Sequence, residues 1–119
     1  MIMDINIGIV QSQVQFCKER KYQCEVTDGN DMVGFAIETQ GKTPINGLRH
    51  PRTEGASGWY IWCGEKYSLE PNFFSPLHLE HLNERCPEII RLLGLPPGYR
   101  FLLAGEYLDI WYDPRLLDI

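Results

Sequence analysis

Residues 46–65 read NGLRHPRTEGASGWYIWCGE. In an extended chain successive side chains point to opposite faces, so Trp59, Ile61 and Cys63 share one face while Tyr60 and Trp62 share the other. Apolar groups on both faces describe a central strand, covered on each side or covered on one side by a partner. Upstream, TEGASG (53–58) reads as a loop of small residues, and His50-Pro51 ends a short strand over Ile45–Arg49.

Working outward, MVGFAIE (32–38) is a second short apolar strand, broken by QGKTP, and TDGND (27–31) is a turn by composition. Ile7, Val10, Val14 and Cys17 recur at helical spacing and predict a helix over 7–20 with that stripe inward. Gln11, Gln13, Gln15, Lys18 and Glu19 are expected on its wet side. Ser75-Pro76 has the chemistry of a helix start, with serine as cap and proline in the first turn. Leu79, Leu82 and Cys86 then form one stripe, Pro87 opens a second short helix, PEIIRLL, and Gly94 closes it. After the stiff Pro96-Pro97-Gly98 turn, YRFLLAGEYLDIWYD predicts a hairpin of Tyr99 to Leu103 and Tyr107 to Tyr112. The expected class is α+β: a mainly antiparallel sheet with an N-terminal helix and a two-helix insert before a C-terminal hairpin.

A chain of 119 residues, 44% hydrophobic and 12% aromatic, fits one domain with a core of its own. The balance of 16 acidic against 11 basic residues gives a net charge of −5, which disfavours nucleic acid as the partner. No apolar run approaches the ~20 residues of a membrane span. The start, MIMDINIGIV, has Asp4 and no basic residue, unlike a secretory signal, so a cytoplasmic location is expected. Cys17, Cys24, Cys63 and Cys86 form no CxxC pair and are expected to be reduced, buried thiols.

Reactive chemistry finds little support. In LHLEHL (77–82), His78 and His81 would share a helical face, with Cys86 as a conceivable third ligand. Zinc takes about four ligands, and this is not HEXXH, so no metal is expected. His50 with Cys63 or Ser57 would make a nucleophile and base, but neither lies in a catalytic signature. GNDMVG and GASG lack the lysine and spacing of a phosphate loop, and Glu106 with Asp109 is a carboxylate pair beside aromatics. No cofactor is implied and no enzyme is expected.

A recognition surface fits better. Arginine, tryptophan and tyrosine dominate interface hot spots because they offer large contact area with a polar handle. Arg49, His50 and Arg52 precede the WYIWC strand as a basic loop, and Tyr107, Asp109 and Trp111 alternate onto one face of the last strand. Leu108, Ile110 and Tyr112 take the other, which is the natural core face. These six residues, Arg49, His50, Arg52, Tyr107, Asp109 and Trp111, are the candidate partner-binding set. Trp59 reads as core, whereas Trp111 is open to both core and interface.

The segments VGFAIET (33–39), PINGLRHPRTEGASGWYIWCGE (44–65), FFSPLHLEHL (73–82), CPEIIRLLGLPPGYRFLLA (86–104) and YLDIWYD (107–113) together resemble the immunity protein 33-like family, also known as domain of unknown function 2185. GWYIWCGE and LGLPPGYRFL are the most specific parts, and the likeness is strongest over 33–113 of one domain spanning 1–119. Many relatives carry Asp-Ser-Gly-Trp where this chain has Ala56-Ser57-Gly58-Trp59, so no acid acts at position 56 here. The resemblance implies a bacterial cytoplasmic protein that protects its own cell by binding a cognate polymorphic or secretion-system toxin. It carries over no catalytic residues. Two other readings stay open: a regulatory or scaffolding binding domain, and a metal- or thiol-dependent enzyme using His78, His81 and Cys86 or Cys63.

Overall fold

The structure, a computed structural model, describes residues 5–118. Its centre is one six-stranded sheet in the order β4-β1-β3-β2-β5-β6. The strands are β1 (Met32–Phe35), β2 (Ile45–Arg49), β3 (Ala56–Cys63), β4 (Ser75–His78), β5 (Tyr99–Ala104) and β6 (Tyr107–Tyr112). Only β1 and β3 run parallel; the other four pairings are antiparallel. The α+β class with a mainly antiparallel sheet holds.

The WYIWC strand is internal, as its two apolar faces require, and its loop gives way to extended backbone already at Ala56. Trp59, Ile61 and Cys63 lie in the main core with Val33, Phe35, Phe101 and Leu103. That inner face is covered by helix α1 (Ile5–Arg20), helix α2 (Leu79–Arg85) and a 3-10 helix, Pro87–Gly94. Leu79, Leu82, Ile89, Leu92 and Leu93 are fully buried there, so the Leu79–Leu82–Cys86 stripe points inward as expected. Trp62 faces the outer side, in a smaller cluster with Ala36, Leu48 and Leu116, against which Phe73 and Phe74 pack.

Three expectations need correction. Helix α1 forms, but its buried residues are Ile9, Gln13, Phe16 and Cys17, while Ile7 and Val14 are exposed. The cause is Gln13, whose side-chain amide donates to the Thr27 carbonyl and accepts from the Thr27 N–H, both at 2.8 Å. The side chain thus replaces a strand partner for a buried stretch of backbone and rotates the helix onto it. Second, Ser75-Pro76 begins no helix. Ser75–His78 pairs antiparallel with Met32–Phe35 instead, because the edge of β1 supplies ladder bonds that a helix start would forgo. Helix α2 begins at Leu79, and its first free N–H groups donate to the carbonyls of Asp31 (Leu79 N, 3.0 Å) and Gly29 (Glu80 N, 3.2 Å). Third, the MVGFAIE strand stops at Phe35, and Ile37–Thr39 turns as a 3-10 helix.

Candidate functional site

The C-terminal hairpin places Leu108 and Ile110 against the main core and leaves Tyr107, Asp109 and Trp111 exposed on the outer sheet face. The alternation read from YLDIWY therefore holds for five of its six residues. Tyr112, expected on the core face, is half exposed and packs edge-on against Tyr99 at 5.2 Å beside Gly98. Trp111 is 38% exposed and lies under the Arg100 guanidinium, whose carbon is 5.6 Å from the ring centroid. Arg100 is the cross-strand neighbour of Trp111, so the stack follows from the hairpin register.

Behind β6 the chain folds into a 3-10 turn, Pro114–Leu117, that crosses the outer face and buries Leu116. Asp113 anchors this strap. It accepts from Arg115 Nε at 2.9 Å and from Arg100 Nη1 at 3.2 Å. The Arg115 hydrogen bond, with help from Arg100 and against partial desolvation, lowers the Asp113 carboxyl from 3.8 to about 2. A depressed folded-state value stabilises the protein above the unfolded one, and that contribution is lost as pH falls. Asp113→Asn should thus be less stable than the native chain near neutrality. The gap should close between about pH 4 and about pH 2, in urea titrations at each pH.

The basic-loop residues have different fates. His50 is half-buried: Nδ1 donates to the Leu116 carbonyl at 2.9 Å, and the ring meets Tyr60 edge-on at 5.6 Å. Arg52 is exposed but engaged, donating to Asp31 at 2.6 Å and to the Val26 carbonyl at 3.0 Å. Arg49, expected on a presented loop, is the last residue of β2 and is completely buried. Its Nε donates to the Ser57 carbonyl (3.0 Å), and Nη1 donates to those of Glu25 (2.7 Å) and Leu95 (2.8 Å). The guanidinium sits 5.6 Å from the Trp59 ring, and Nη2 lies 3.4 Å from the Glu25 carboxylate. Burial lowers its pKa to about 10, with Glu25 opposing, so it stays cationic at neutral pH. Arg49 is a staple between β2, β3 and two loops, and it offers nothing to a partner in this conformation.

The sequence reading missed a run of aromatic rings across the outer face. Tyr60 meets Phe74 at 5.1 Å, and Phe74 continues to Trp62, Tyr67 and Phe73 in mostly edge-on contacts. Tyr60 lies across Gly34, where an added Cβ would come within 2.7 Å of the ring. A groove of about 310 Å³ opens beside it, lined by His50, Pro51, Tyr60, Phe74 and Pro76 among others. The signal in the sequence was the Phe73-Phe74 pair immediately before β4.

The groups weighed for catalysis do not converge. The Ser57 hydroxyl donates to the Met32 carbonyl at 2.7 Å, and Cys63 points into the core from the far end of β3. His78 ends β4 and His81 sits in the first turn of α2, their ring centroids 6.0 Å apart. Among the described residues no group of three or more histidine, cysteine or acidic side chains could hold a metal. The fold does bring the scattered cysteines into pairs. Cys63 is hydrogen-bonded with buried Cys86, which lowers Cys63 to about 7 and raises Cys86. Burial, with contact to exposed Cys24, raises Cys17 to about 12. No described helix is long and apolar enough to cross a membrane.

Compared with known proteins, residues 12–113 match the model of the Imm33-like domain. No curated protein and no solved structure matched the chain. The matched span begins within α1, upstream of the motifs that carry the resemblance, and takes in all six strands. On that match, which covers most of the 119 residues, the chain belongs to the Imm33-like family.

Proposed function

We propose that this chain is a bacterial immunity protein, one domain over its length, that works in the cytoplasm by binding a cognate toxin and blocking it. The observation that carries this reading is the exposed aromatic surface of the outer sheet face. Tyr107, Trp111 and Tyr60 are 61%, 38% and 38% exposed, large rings left open on the same face of one sheet. His50 lies beside Tyr60 and Asp109 lies between the β6 aromatics, giving the polar handles that interface hot spots use. Arg52 is exposed in the loop after His50. Family membership adds the expectation of a protein partner, and neutralisation acts by occlusion, with no bond made or broken.

The test is co-expression with the toxin encoded beside it. The native chain should restore growth and co-elute with the toxin on gel filtration. Trp111→Ala and Tyr107→Ala should keep the fold but each weaken binding by roughly 30-fold or more, the effect of about 2 kcal/mol at a hot spot. Rescue by both variants at native affinity would move the interface elsewhere. No rescue and no complex with the native chain would end the proposal.

A further inference from the structure

The sheet has two edges, and they are treated differently. At one end β4 is four residues long and carries Pro76, which has no N–H to offer a further strand. Short length and proline are two standard ways of blunting an edge. At the other end β6 has six residues, Tyr107–Tyr112, with no proline and no lysine. Its single formal charge is Asp109, and three of the large exposed hydrophobics of the described chain, Tyr107, Trp111 and Tyr112, belong to it.

The backbone phase of that edge can be read. Asp113 N–H donates to the Gly98 carbonyl at 2.7 Å, continuing the register in which Tyr99 faces Tyr112. Backbone groups alternate sides along a strand, so Tyr107, Asp109 and Trp111 bond toward β5. Leu108, Ile110 and Tyr112 direct their N–H and C=O groups outward. Among the described residues no hydrogen bond takes up those outward groups.

We infer that β6 pairs antiparallel with β6 of a second copy of this chain, about a two-fold axis at Ile110, joining two sheets into one. The two-fold requires each residue to face one of its own parity. An axis at Asp109 would set two carboxylates directly opposite, which is unfavourable. An axis at Leu108 leaves Ile110, Trp111 and Tyr112 facing residues outside β6. At Ile110 the outward groups of Leu108, Ile110 and Tyr112 all meet partners, with Leu108 facing Tyr112 of the second copy on the inner side. Asp109 then faces Trp111 of the second copy, and beyond that ring lies its Arg100. The Arg100 guanidinium, 26% exposed and bound through Nη1 to Asp113, places a positive charge on that side of the seam. The contact is isologous, as closed dimers are, and each half carries the complement of the other. The edge bonds are made by backbone, and the Tyr107 and Trp111 rings stay on the outer face, so exchange at the outward amides reads the pairing separately from toxin binding.

Sedimentation equilibrium on the order of 100 μM should give about twice the 13.8 kDa chain mass. Amide exchange should slow by roughly tenfold or more at Leu108, Ile110 and Tyr112 as concentration rises, without a matching change elsewhere. Trp111→Asp, which puts a carboxylate opposite Asp109 and still offers Arg100 a cross-strand anion, should sediment as a folded monomer. A native chain that stays at 13.8 kDa overturns the inference. So does a dimer whose outward β6 amides exchange freely, or protection of those amides only when a different protein is added. If Trp111→Asp fails to fold, exchange in the native chain decides alone.

Discussion

Arg49→Ala should lose roughly 3–5 kcal/mol of folding stability in urea denaturation, a large share of the roughly 5–15 kcal/mol typical of a domain. Two buried carbonyls, of Ser57 and Leu95, and the partly buried one of Glu25 each accept from this one guanidinium. Removing it leaves the Ser57 and Leu95 carbonyls buried without this donor, and an unsatisfied buried group costs about 1–3 kcal/mol. The Trp59 ring would also lose the plate that covers it. Arg49→Lys should recover only part of the loss, because one ammonium cannot meet carbonyls that a planar fork addresses from two nitrogens. Glu25→Gln should cost less than about 1 kcal/mol, since the Glu25 side chain is half in solvent and its backbone carbonyl stays in place. An Arg49→Ala chain within about 1 kcal/mol of native would show that the residue is not the staple described.

Gly58→Ala is the second large effect, expected at about 2–4 kcal/mol from strain and overpacking together. Gly58 has φ +91, in the region where an L side chain meets its own backbone. An added Cβ would stand 2.0 Å from the His50 carbonyl oxygen and 3.2 Å from that of Pro51. Those atoms are backbone, held by the His50 N–H to Gly58 carbonyl bond at 2.9 Å, so no side-chain rotation relieves the contact. The variant should unfold at markedly lower urea. If it folds at all, the shift should reach the His50 ring, because the displaced segment carries its bond to Leu116. Thermal melting and the His50 proton resonances report the two effects separately. An unchanged melting temperature would contradict the close approach.

Both residues lie within 46–65, the stretch that also holds the central strand. The sequence alone determined what local period determines. Strand alternation in WYIWC placed a central strand with Trp59 inward, and YLDIWY separated Leu108 and Ile110 from Tyr107, Asp109 and Trp111. Leu79, Leu82 and Cys86 pointed inward as spaced, and the motif combination named the family. The burial patterns follow from neighbours within a few residues, and the family from motifs read in order along the chain, both of which a linear pattern records.

Tertiary structure decided the rest, because the deciding partners are distant in the chain. Arg49 is buried by carbonyls 24 and 46 residues away, so a basic loop and a core staple look alike in sequence. Gln13 faces inward because Thr27, 14 residues on, has backbone groups that need a partner. Ser75-Pro76 became a strand because β1, some 40 residues earlier, had a free edge to fill. The aromatic outer face exists only once Phe74 crosses Tyr60, and the cysteine pairs only once the helices close on the sheet. Hydrogen-bond satisfaction is a property of the folded whole, and a residue's own chemistry does not say where its partner will be.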